Sequence, residues 1–173
     1  SGADETFEGG PAEMVALNAR RKRDDVAGRV GRGAVVIAAD TLVFLGDEPL
    51  GKPADLDEAR AMLARLSGRT HAVMTGVAVC DTATGAAVDA VETTGVTFRA
   101  LTAEQIAAFV ETVHPTDRAG AYTVDGPGSL LVARYEGCYQ NVLGLPMVRL
   151  DALLREIGVD LFAHLDPERA SFL

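Results

Sequence analysis

The segment AVVIAADTLVFLGDEPLGKP, Ala34 to Pro53, constrains the fold more than any other. Its first part is apolar, rich in β-branched residues and bounded by glycine, the composition of a short strand covered on both faces. Asp40 interrupts the run, which predicts that this carboxylate stands at or near the strand's end. Open α/β sheets present ligands at strand ends, and a carboxylate there can bind a divalent cation or take a proton from water. The turn that follows carries Lys52 between Gly51 and Pro53, a restricted setting that suits a phosphate contact.

The remaining chain supplies helices and further strands for such a sheet. Pro11 at a first helical position, followed by good helix formers up to Gly28, predicts a helix over Pro11–Ala27 with a strongly basic far end, ARRKR. Asp55 with Glu58 three residues later opens a second helix, which buries Ala59, Met62, Leu63 and Leu66 and stops at Gly68. THAVMTGVAVCD and AAVDAVETTGVTFRA read as two strands of a hairpin joined by TATG. Thr102 and Gln105 mark a third helix over Ile106, Phe109, Val110 and Val113. A long glycine-rich loop, HPTDRAGAYTVDGPG, then precedes a strand in SLLVARYEG and a final helix in GLPMVRLDALLREIG. Mixed strands and helices of this kind predict an α/β or α+β domain around one mixed sheet.

Bulk composition excludes several functions. With 173 residues and 48% hydrophobic residues the chain suits one packed domain. A net charge of -9 has the wrong sign for holding long nucleic acid. Cys80 and Cys138 lack partners at metal spacing and read as reduced core thiols. His71, His114 and His164 likewise have no metal-spaced partner. No apolar run reaches the ~20 residues of a membrane span and no leader pattern opens the chain, so a cytoplasmic protein is expected. The first residue, Ser1, implies a chain trimmed at, or beginning inside, a longer product. A strand followed by DTLV also invites comparison with haloacid dehalogenase-type phosphatases, but Ala38 stands where their nucleophilic Asp belongs, and the mechanism fails without it.

Six separated motifs, AADTLV, GKP, LSGRTHAVMTGVAV, VTFRALT, DRAGAY and GCYQNVLGLP, occur in the order that resembles the Maf family of nucleoside triphosphate pyrophosphatases. The likeness runs from about Asp4 to Gly158. It implies an elongated α/β fold with a central mixed sheet and a cleft, and hydrolysis of a nucleotide between its α and β phosphates with Mg²⁺ or Mn²⁺. By this resemblance Asp40 is the general base and a metal-linked carboxylate, Glu5 a second acidic metal residue, and Lys22 and Lys52 the phosphate-side lysines. Thr41 matches a position that separates substrate subfamilies, and Arg118 stands after Asp117 where the family usually has Asp-Lys. Asp125 replaces a glutamine that contacts the base in pyrimidine-preferring members. The family's opening strand and Ser-x-Ser-Pro-Arg-Arg turn have no match, and this chain starts at about the point where they end. The expected substrate is dTTP or UTP, with 7-methyl-GTP as the alternative. A regulator of cell division, of the septum-formation-inhibitor kind, that binds a nucleotide without cleaving it is the reading from another class. A homodimer is the assembly to test for.

Overall fold

The computed structural model describes residues 1–5 and 9–166 of the chain. Helix α1 spans Pro11–Ala27, starts with Pro11 as expected, and is followed by strand β1, Val35–Leu45. The short strand β2, Glu48–Leu50, leads to α2, Leu56–Leu66. Strands β3, Thr70–Asp81, and β4, Ala87–Phe98, form the expected hairpin. Helix α3, Ala103–Val113, begins at a complete capping box in which Thr102 and Gln105 satisfy each other's backbone amides. Strand β5, Val132–Glu136, the four-residue helix α4, Tyr139–Val142, and helix α5, Met147–Glu156, complete the order, with short 3₁₀ turns at 119–121, 126–130 and 161–164.

The five strands lie in the order β2-β1-β3-β4-β5, and every pairing is antiparallel. The sheet of the described residues is therefore antiparallel where a mixed one was expected. A second correction concerns Asp40. Strand β1 continues through Thr41 to Leu45, and Asp40 pairs with Gly76 in the middle of the β1–β3 ladder rather than ending the strand.

The period of two along the strands divides the core into two sides. Leu42 and Phe44 pack with Met14 and Val15 of α1 on one face. Val43, Val73, Val96 and Phe98 face the other way, under α2 and α3, and Val77 and Val79 continue that side beneath α5. Gly76 sets how closely α1 approaches. A Cβ there would lie 2.2 Å from the Val15 carbonyl oxygen and 2.8 Å from the Ala16 nitrogen, so helix backbone rests directly on strand backbone. No other residue type leaves that space.

Candidate active site

Close docking of α1 brings its inner stripe against the centre of β1. Met14, Val15, Asn18 and Ala19 are buried along that stripe, and Lys22 follows Asn18 by one helical turn. Asp40 is only 4% exposed. The Lys22 ammonium donates to Asp40 Oδ1 at 2.6 Å and to Glu5 Oε1 at 2.6 Å, and Asn18 Nδ2 donates to Asp40 Oδ2 at 3.1 Å. Three residues expected from sequence, Glu5, Lys22 and Asp40, thus form one chain of charge. Asn18 was missed, although its position one turn before Lys22 on an apolar stripe was a usable signal.

Burial is the largest influence on Lys22 and pulls its pKa down, but the hydrogen bonds and charges of Asp40 and Glu5 outweigh it, and the ammonium is held above the ordinary lysine value. The pair also matters to folding. A buried carboxylate stripped of its cation costs ~3–5 kcal/mol, far more than an exposed ion pair contributes.

Beside this chain opens a cleft of about 400 Å³, lined by Glu5, Lys22, Asp40, Thr41 and Lys52 among others. It lies where the edge of β1 away from β3 has no partner strand among the described residues, because β2 pairs only with Val43–Leu45. A second cleft of about 320 Å³ adjoins it and shares Thr41 and Lys52. Its floor is Thr41, Val43 and Val73 on the sheet face opposite Asp40; Tyr122, Val142, Leu143 and Gly144 add further wall, and Asp117, Arg118, Thr123 and Asp125 give it a polar rim. All the residues singled out from the sequence therefore border two connected spaces: Asp40, Glu5 and Lys22 one of them, Arg118 and Asp125 the other, and Thr41 and Lys52 both.

The loops around the second cleft are fastened individually. Gly120 N donates to Gly51 O at 3.0 Å, which ties the Lys52 turn to the 119–121 turn. Gly120 and Ala121 both have positive φ, 69° and 61°. For a residue with a Cβ this is uncommon and is kept only where surrounding structure enforces it; Ala121 is wholly buried. Next to it, the Tyr122 hydroxyl meets Nε2 of buried His71 at 2.7 Å, and the two rings pack edge to face with Phe98. Burial lowers the His71 pKa to about 4, so the ring is neutral near pH 7. His71 is thus a structural residue, as the lack of metal spacing implied. On the rim, the Thr123 hydroxyl donates to Asp125, and this bond is the main reason the Asp125 pKa lies below the usual carboxylate range. Asp125 is ionised at neutral pH and can only accept hydrogen bonds. Arg118 is largely exposed and lies 3.5 Å from the Asp117 carboxylate.

The residues present suit a hard divalent cation. Asp40 and Glu5 already converge on one positive centre, the Lys22 ammonium. Among the described residues no group of three or more His, Cys, Asp or Glu side chains could hold a metal alone. Magnesium is ordinarily held by one or two carboxylates and completed by substrate phosphates, so two acids fit that ion better than a metal caged wholly by protein.

Comparison with known proteins gives a consistent picture. The family model described as "Maf-like protein" matches residues 1–157. A "dTTP/UTP pyrophosphatase" of Pelotomaculum thermopropionicum is 47% identical over 160 residues, covering 91% of this chain and 83% of that protein. One of Myxococcus xanthus is 48% identical over 170 residues, covering 97% of this chain and 82% of the relative. A third, from Carboxydothermus hydrogenoformans, is 44% identical over 155 residues, with 90% and 83% covered. Among the described residues no helix is long and apolar enough to cross a membrane.

Proposed function

The chain belongs to the Maf-like protein family, and we propose that it hydrolyses the α–β phosphoanhydride bond of dTTP or UTP, releasing the nucleoside monophosphate and pyrophosphate. The observation that carries this reading is the junction of the two clefts at Thr41 and Lys52. On one side lies the Glu5–Lys22–Asp40 chain, on the other a slot with an apolar floor and a polar rim. A nucleotide has the same division, a flat base at one end and a row of charged phosphates at the other.

Asp40, fixed by strand β1 and by Asn18, would accept the proton of the attacking water. Lys22 and Lys52 would offset the charge of the triphosphate and that developing on the leaving pyrophosphate, the kind of preorganised stabilisation that dominates phosphoryl chemistry. Asp40 and Glu5 would hold a Mg²⁺ or Mn²⁺ ion, which when bound supplies positive charge to the phosphates and makes water more acidic. In the slot, ionised Asp125 would accept from the N3–H of uracil or thymine, directly or through a water, because it is one methylene shorter than glutamine. A match to relatives named for dTTP and UTP supports the pyrimidine preference.

The test is pyrophosphate release from dTTP, UTP, CTP and 7-methyl-GTP in the presence of Mg²⁺ or Mn²⁺. Higher kcat/KM for dTTP and UTP is expected. Preference for 7-methyl-GTP would overturn the substrate assignment, and binding without release would overturn the enzymatic one.

A further inference from the structure

One wall of the second cleft belongs to neither a strand nor a long helix. Residues 138–144, with the single turn of α4, form it, and Val142, Leu143 and Gly144 face the space. A helix of four residues cannot hold itself in place. Asn141 provides the fastening. Its side chain is completely buried, and Nδ2 donates to the Val73 carbonyl at 3.0 Å and to Thr94 Oγ1 at 3.0 Å. The Thr94 hydroxyl also donates to Cys138 O at 2.9 Å and accepts from Cys138 N at 3.1 Å, which uses its one proton and both lone pairs.

The same loop is joined to the cleft floor. Thr75 Oγ1 lies 3.3 Å from the Asn141 carbonyl and 2.8 Å from Thr41 Oγ1, which in turn lies 3.4 Å from Gly144 O. Whichever way the two hydroxyl protons point, the Thr41–Thr75 pair is bonded to this loop. Gly144, at φ 103°, leaves only 3.6 Å between a would-be Cβ and Thr41 Oγ1, so wall and floor are close. Asn141 Oδ1 is buried with no hydrogen-bond partner among the described residues. An unmade bond of this kind costs stability, so the amide is kept here for its two donated bonds, which leucine would take from the Val73 carbonyl and the Thr94 hydroxyl.

We propose that Asn141 is a positioning residue for substrate selection: by fixing residues 138–144 to β3 and β4 it sets the distance from Gly144 to Thr41, and so the width of the slot that takes a pyrimidine ring. The inference rests on the nucleotide reading above. Asn141 touches no substrate; it acts through the wall it holds.

Three variants test it: Asn141→Leu, Thr94→Val and Thr94→Ser. Kinetics with dTTP, UTP and dATP are measured beside calorimetric binding of dTTP in EDTA, which does not depend on turnover. In Asn141→Leu the KM for dTTP should rise about tenfold, the equivalent of one lost neutral hydrogen bond, with kcat within about threefold of wild type. The ratio of dTTP to dATP kcat/KM should fall by a similar factor. Thr94→Val should follow Asn141→Leu, and Thr94→Ser, which keeps the hydroxyl, should behave as wild type. Should Asn141→Leu fail to fold, the Thr94 pair still decides. An unchanged KM, Kd and base ratio in the valine variant would overturn the proposal. A wild-type chain that binds dTTP without releasing pyrophosphate would overturn the enzymatic reading alone, since Kd still judges Asn141. A wild-type chain that binds dTTP neither in EDTA nor with Mg²⁺ would overturn both.

Discussion

Asp40 and Thr41 are neighbours in sequence and belong to different environments. Asp40 turns toward α1, where a helix and a strand in backbone contact hold it between Asn18 and Lys22. Thr41 turns toward a cleft walled by loops, which hydrogen bonds fasten to the sheet or to another loop. The acid side rests on regular elements, which tolerate little displacement; the Thr41 side rests on turns, which can change without disturbing the sheet. That division suits a reacting centre that must stay fixed beside a base slot whose loops are free to vary.

This contrast predicts unequal consequences for substitutions on the two sides. Asp40→Asn keeps the shape and loses proton acceptance and charge, so kcat should fall by about 10³ or more, ~4 kcal/mol in barrier, with an unchanged circular dichroism spectrum. Wild-type turnover would remove Asp40 from its role. Lys22→Met should lower both activity and stability, because it leaves Asp40 buried without its cation; urea unfolding should show a loss toward the lower end of ~3–5 kcal/mol, since Lys22 is partly exposed. Lys52→Met, at an exposed position between the clefts, should raise KM and leave the unfolding midpoint nearly unchanged.

Acid should act on the Thr41 side through His71. Its pKa is about 4 in the folded chain against an ordinary histidine value of 6.5. The unfolded chain therefore binds the proton first. The neutral ring's contribution is fully present above pH ~6.5 and is lost as pH falls toward 4, by about 3 kcal/mol at most. Stability measured across that window should be flatter in His71→Phe, and an equally steep profile would assign the acid loss elsewhere. The smallest effect is expected at Asp125→Gln. On an exposed rim it should change the dTTP to 7-methyl-GTP ratio of kcat/KM severalfold, with pyrimidine activity kept or raised, consistent with one hydrogen bond gained or lost there.

Much of the fold could be read from local signals, and the failures share a cause. Pro11, the Thr102–Gln105 capping box and Asp55 state their helix boundaries in a few adjacent residues, and the structure places those helices accordingly. Asp40 misled because β1 is apolar on both faces, which leaves no alternation to show that the strand continues past a polar residue. Its mid-strand position comes from pairing with Gly76, thirty-six residues away in the chain. Resemblance supplied Glu5 and Lys22 as separate residues; that one ammonium links Glu5 to Asp40 is visible only in space. Asn141 and α4 escaped because four residues carry no helical period. The positive φ of Ala121 has no signature in an alanine.

Gly76 has a consequence for anyone who maps this protein by saturation mutagenesis. A Cβ at this position meets the Val15 carbonyl at 2.2 Å, and the atoms it meets are helix backbone, which cannot swing aside as a side chain would. Even alanine must push α1 outward, carrying Asn18 and Lys22 away from Asp40. In an activity screen every substitution at residue 76 would then score as a loss of chemistry, indistinguishable from an alteration of Asp40 itself. A parallel screen for abundance would separate the two: Asp40→Asn would leave the protein at normal levels, whereas Gly76 variants would be depleted before their activity could be judged.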